Sequence, residues 1–126
     1  MLFRSGEKQQ KLTDDRSIYL QISQMIETDI LRGILLEEER VPSTNELAKL
    51  YTINPATAAK GINILADEGI LYKKRGIGMF VAAGAAVKIR TRRKKEFYEC
   101  RLKEFCAEAQ RLGISRDELI DALNKE

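Results

Sequence analysis

The chain has 126 residues, of which 44% are hydrophobic and 33% charged, with a formal net charge of +3. That length allows one hydrophobic core with at most an appendage, and that composition excludes wholesale disorder and a membrane span. The absence of histidine, with only Cys100 and Cys106 as thiols, removes the ligand sets for structural zinc and haem and the Ser/His and Cys/His nucleophiles, so no catalytic set, metal or cofactor is expected.

Residues 1–16 are polar, mixed in charge and without a period, which predicts an N-terminal arm or one short edge strand. The opening Met1-Leu2-Phe3-Arg4 lacks the apolar run of a secretory signal, so the expected compartment is the cytoplasm. From Ser17, apolar residues at Ile18, Ile22, Met25, Ile26 and Ile30 follow the helical period up to Gly33, predicting a first helix over about 17–32. Glu37-Glu38-Glu39 then leads into Arg40-Val41-Pro42, read as an extended linker because the residue before proline avoids the helical region.

Ser43-Thr44-Asn45-Glu46 has the pattern of a capping box, in which the serine oxygen accepts from the third helical amide and the glutamate reaches back to the serine amide. A short second helix of about eight residues follows, with Leu47, Ala48, Leu50 and Tyr51 on its apolar side. The chain restarts at Asn54-Pro55, a cap followed by proline at the first helical position. The third helix, Pro55 to Glu68, is predicted to face inward with Ala58, Ala59, Ile62, Leu65 and Ala66, and stops at Gly69. Ile70-Leu71-Tyr72-Lys73 and Met79-Phe80-Val81 read as two strands joined by Lys74-Arg75-Gly76-Ile77-Gly78, a hairpin with a basic tip.

Beyond Gly84 a long helix is predicted over about 86–112, with Tyr98, Leu102, Phe105, Ala109 and Leu112 at steps of four and three, the spacing of a coiled-coil-like seam. Cys100 and Cys106 fall on this helix about 120° apart and roughly 9 Å along it, too far to bridge each other. Residues 88–103 carry eight basic side chains against Glu96 and Glu99, a density that suits a polyanion as well as a solvated helix face. Ser115-Arg116-Asp117-Glu118 is a second capping box, opening a closing helix with Leu119, Ile120, Ala122 and Leu123 on its apolar side.

Helix, helix, turn, helix and hairpin is the order of a winged helix-turn-helix. The fold class expected is mainly α with a small β-hairpin, the winged domain over 17–82 being followed by a two-helix segment over 85–126. The start of the third helix is the part of such a fold that reaches base edges in the major groove. Asn54, Thr57, Lys60 and Ser43 offer groups suited to phosphate or base, and Lys73, Lys74 and Arg75 suit a DNA backbone or minor groove. A winged helix can also serve as a protein-interaction module that never touches DNA, and a polar start to the third helix argues against that alternative. An enzyme reading would rest on Gly76-x-Gly78 and Gly84 as a phosphate loop, but no helix opens directly after those glycines.

The stretches "IYLQI", "VPSTNELA" and "INPATAAKGINILADEGILYKKRGIGMFV", within Ser17 to Val81, resemble the GntR family of bacterial transcription regulators, and within it the YtrA subfamily. The resemblance implies a repressor-like protein bound to double-stranded operator DNA through the positions occupied here by Ser43, Asn45, Asn54, Pro55, Ala56, Thr57, Lys60, Arg75 and Gly76. Many members carry arginine where this chain has Asn45, Pro55 and Lys60, so their bidentate reading of guanine does not transfer, nor does their operator sequence. Only 42 residues follow Gly84, too few to enclose a sizeable metabolite pocket. In the YtrA subfamily short C-terminal helices pair two subunits, and the genes often neighbour transporter genes. The resemblance thus implies a homodimer joined through Tyr98, Leu102, Phe105, Ala109 and Leu112, reading a two-fold operator. Packing of the same seam against the closing helix of its own subunit is the alternative. No effector is legible, and no membrane partner is expected.

Overall fold

A computed structural model describes Leu12 and residues 17–126 of the chain. Apart from Leu12, which packs against the core, the expected N-terminal arm lies outside the described residues. Contacts divide the molecule into a unit ending at Arg90 and a second unit, Thr91–Glu126, with the boundary inside a helix.

The first unit is built on three helices. Helix α1 (Ile18–Leu31) buries Ile22, Met25, Ile26 and Ile30 as the period requires, and Ile18 is half-buried. Its neighbours also cover Gln21, Ser23, Glu27 and Asp29, polar residues that the sequence pattern would have left outside. Ser23 offsets part of that cost by donating from Oγ to the Leu20 carbonyl at 3.2 Å. Helix α2 (Thr44–Tyr51) buries Leu47 and Ala48; Leu50, expected inside, is exposed. Helix α3 (Pro55–Asp67) packs on both α1 and α2 through Ala58, Gly61, Ile62 and Leu65. Ala59 and Ala66, expected inside, are only half-buried. Fully burying an Ile or Leu contributes roughly 1.5–3 kcal/mol, so Ile22, Ile26, Leu47 and Leu65, each completely covered, anchor the unit.

Gly61 explains how closely α1 and α3 approach. A Cβ at that position would stand 2.7 Å from the Tyr19 carbonyl oxygen and 3.1 Å from the Ile22 side chain, so only hydrogen fits there.

Strands β1 (Leu71–Lys74) and β2 (Gly78–Val81) pair antiparallel in the register Leu71 with Val81, Tyr72 with Phe80, Lys73 with Met79 and Lys74 with Gly78. The turn between them is shorter than expected, residues 75–77, with Gly76 at φ +77°. Residues 38–41, which overlap the expected extended linker Arg40-Val41-Pro42, add a third line to this sheet. The Val41 amide donates to the Met79 carbonyl at 2.9 Å, the Val81 amide to the Glu39 carbonyl at 2.9 Å, and Arg40 bridges Phe80. Glu38 joins the sheet at φ +68°, a region that side chains other than glycine seldom occupy. Its amide donates to the Val81 carbonyl, and its carboxylate accepts from the Tyr72 hydroxyl.

Helix α4 (Ala85–Glu96) belongs to the first unit at its start, where Ala85 and Ile89 enter the core. The long helix expected over 86–112 is interrupted by a π-helical turn, Phe97–Arg101, before continuing as α5 (Leu102–Arg111). Helix α6 (Arg116–Asn124) closes the chain with its capping box formed: Ser115 Oγ accepts from the Glu118 amide at 3.2 Å. None of its residues is buried, so its expected inward face is open in the single chain.

Candidate nucleic-acid interface

The start of α2 is set by Ser43. Its Oγ accepts from the Glu46 amide at 3.1 Å, while the Ser43 amide donates to Glu46 Oε1 at 3.2 Å. The amide of Ser43 holds the Glu46 carboxyl below the usual range, helped by the Ser43 hydroxyl and by Arg40. Arg40 lies 3.6 Å from that carboxylate. The start of α3 is set in the same way: Asn54 Oδ1 accepts from the Ala56 amide at 2.8 Å, and Pro55 needs no hydrogen-bond acceptor. In both caps the side chain's acceptor is used by the helix; the Ser43 hydroxyl also serves the Glu46 carboxylate, and the Asn54 Nδ2 group is left as a donor. A side-chain amide donor beside open helix N–H groups suits the oxygens of a phosphate.

Asn45, Asn54, Pro55, Ala56 and Lys60 are exposed, and Thr57 is half-buried with its amide donating to the Asn54 carbonyl at 3.0 Å. Lys60 Nζ lies 4.0 Å from the centroid of the Tyr19 ring. On the wing Lys73 and Lys74 lie in β1, with Arg75 and Gly76 in the turn; all four are exposed. The Lys74 Nζ stands 4.2 Å from the Phe80 ring centroid and 5.9 Å from that of Tyr72. Hydrogen bonding to Glu38 raises the Tyr72 phenol above its ordinary pKa. Tyr19, Tyr72, Phe80, Glu38 and Arg40 were not singled out from the sequence; the step of two from Tyr72 to Lys74, which puts both on one face of a strand, was the available signal.

Of the expected seam, Tyr98, Leu102, Phe105 and Leu112 are exposed, Phe105 by 51% and Leu112 by 65%. Ala109 differs, being 5% exposed and so covered by its own chain. Phe97 stacks edge-on to Tyr98 at 5.7 Å between centroids and is also exposed, as are Cys100 and Cys106. Among the described residues no group of three or more His, Cys, Asp or Glu is placed to hold a metal ion, and no helix is long and apolar enough to cross a membrane.

Comparison with known proteins places this geometry. The profile of bacterial regulatory proteins of the gntR family matches residues 18–81, the span from the start of α1 to the end of β2. The arabinose metabolism transcriptional repressor of Halalkalibacterium halodurans is 41% identical over 61 residues, which are 48% of this chain and only 16% of that protein. The HTH-type transcriptional repressor YtrA of Bacillus subtilis is 30% identical over 102 residues, 81% of this chain and 78% of that protein. A GntR-family transcriptional regulator from Bacteroides thetaiotaomicron has a similar crystal structure, with a TM-score of 0.70 at 38% identity, covering 86% of this chain and 94% of that one. The DNA-binding domain of AraR in complex with operator ORX1 is also similar, with a TM-score of 0.51 at 31% identity, covering 60% of this chain and 93% of that one. The winged helix, the family match and the similarity to YtrA over most of both chains agree: the chain belongs to the GntR family of bacterial regulatory proteins and is similar to YtrA within it.

Proposed function

We propose that the protein is a homodimeric repressor that binds a two-fold operator in double-stranded DNA. The observation that carries this reading is the first turn of α3. Asn54, Pro55, Ala56 and Lys60 are exposed there and Thr57 is half-buried, while Ala58 faces the core, so the polar groups of Asn54, Thr57 and Lys60 lie at the start of the element that a winged helix sends into a major groove. The operator complex of the AraR domain, a protein of similar fold, supports the same reading. The proposed contacts are Ser43, Asn45, Asn54, Pro55, Ala56, Thr57 and Lys60 from the helices, with Lys73, Lys74, Arg75 and Gly76 from the wing. The exposed row of Tyr98, Leu102, Phe105 and Leu112, in a unit with a single buried residue, supports pairing with a second copy; the interface would then rest on these four rather than on Ala109. Two half-sites about one helical turn apart would follow from such a pair. The likeness to YtrA extends the proposal to control of a transporter operon.

Fluorescence anisotropy with the duplex upstream of the protein's own gene tests the reading. Nanomolar binding that weakens steeply with salt is expected, together with a salt slope reduced by about one on Arg75→Ala. Indifference to every duplex at low ionic strength would overturn it. Sedimentation at the binding concentration tests the dimer, which Leu102→Asp is expected to split.

A further inference from the structure

Lys60 does not stand alone on α3: its ammonium rests on the face of Tyr19, 4.0 Å from the ring centroid. Tyr19 belongs to the first turn of α1, and its carbonyl oxygen lies where a Cβ at Gly61, the residue next to Lys60, would stand only 2.7 Å away. The ring is therefore carried by backbone that the tight packing of α1 on α3 holds in place. A lysine stem is flexible, and ordering it at a phosphate costs rotamer freedom. The negative face of an aromatic ring attracts an ammonium from one side only, and the N–H donors on the other side remain directed outward.

We propose that Tyr19 is a positioning residue for DNA binding, its ring holding the Lys60 ammonium in the attitude in which it meets a phosphate. The inference rests on the proposed contact between Lys60 and DNA. The same device recurs on the wing, where Lys74 is seated against Phe80 at 4.2 Å, while Lys73 and Arg75 have no ring contact among the described residues. A lysine on an aromatic ring is thus present at both elements offered to the duplex. Tyr19 acts through Lys60 and needs no contact of its own with DNA.

The test is a double-mutant cycle on a duplex that the wild-type protein has selected from a random-sequence pool. Tyr19→Leu is expected to weaken binding about two- to five-fold, the worth of an exposed cation–π contact, while Tyr19→Phe, which keeps the ring, binds as wild type. Lys60→Met is expected to weaken binding and to make the salt slope shallower by about one. Tyr19→Leu should leave the slope unchanged, because the charge still reaches the phosphate. In the Lys60→Met background Tyr19→Leu should cost nothing further. The same loss in that background would show that the ring serves the fold alone and would overturn the proposal. Wild-type binding by Tyr19→Leu alongside weakened Lys60→Met would also overturn it, leaving the Lys60 contact standing. Wild-type binding and slope in Lys60→Met would remove the contact and the positioning role with it. Thermal melting accompanies each variant, and Tyr19→Met carries the same comparison should the leucine variant fail to fold.

Discussion

The two units of the chain use the same kinds of residue to opposite ends. Up to Arg90, isoleucines and leucines on α1, α2, α3, β1 and the start of α4 are enclosed together with Val81 of β2, Leu65 and Ile89 completely. From Thr91 onward Phe97, Tyr98, Leu102, Phe105, Leu112, Ile120 and Leu123 remain exposed, and only Ala109 is buried. Yet each unit opens a helix with the same device, Ser43 with Glu46 in one and Ser115 with Glu118 in the other. The difference teaches that helix ends are local chemistry, whereas stability in isolation depends on what a helix is packed against.

The sharpest way to break this comparison is to delete buried and exposed side chains in parallel. Leu65→Ala is expected to cost about 2–5 kcal/mol in urea unfolding, and Leu123→Ala, 64% exposed, to stay within about 0.5 kcal/mol in dilute protein. Equal losses would mean that the second unit has a core of its own. Next in size is Gly61→Ala, whose new methyl meets the Tyr19 carbonyl; a loss of about 1–3 kcal/mol is expected.

The paired capping boxes sharpen the contrast further. Ser43→Ala should lower the midpoint of the cooperative transition by an amount corresponding to about 1 kcal/mol, while Ser115→Ala should leave that transition in place and reduce only the far-ultraviolet helical signal. The smallest expected effect is in alkali. Burial, with the Asp29 charge nearby, pushes the Tyr51 phenol up to about 12 from 10.0. A raised pKa in the folded state means that stability is fully present below pH 10 and falls as pH climbs toward 12, since the unfolded chain ionises first. Tyr51 is only half-buried, which discounts the effect, so the decline should be about 1 kcal/mol, and Tyr51→Phe should abolish it in pH-dependent urea melts.

What was legible in the sequence follows the same division. Ser43, Asn54-Pro55 and Ser115 announce their helices because a cap is made within a few residues, and the period of Ile22, Met25, Ile26 and Ile30 marks one face of α1 directly. The order of elements and the motifs from Ile18 to Val81 were enough to place the chain in its family. Arg40-Val41-Pro42, expected as an extended linker, is extended, but its pairing with β2 was not legible because the partners of residues 38–41, Met79 and Val81, lie far along the chain and three consecutive glutamates suggest solvent. The burial of Glu27 and Asp29 is likewise set by neighbours that periodicity does not register. The π turn at Phe97–Arg101 leaves no mark, since steps of four and three continue through it. Lys60 was read as a bare cation because its ring partner belongs to another helix.

The brace along β2 has a mechanical consequence. With β1 on one edge and residues 38–41 on the other, only Arg75, Gly76 and Ile77 project beyond the ladder. Such a tip is a blunt stylus and, in the proposed complex with a duplex, has almost nothing left to fold. Its docking would carry little of the heat-capacity signature of coupled ordering, and any mismatch in groove width would have to be absorbed by bending of the nucleic acid.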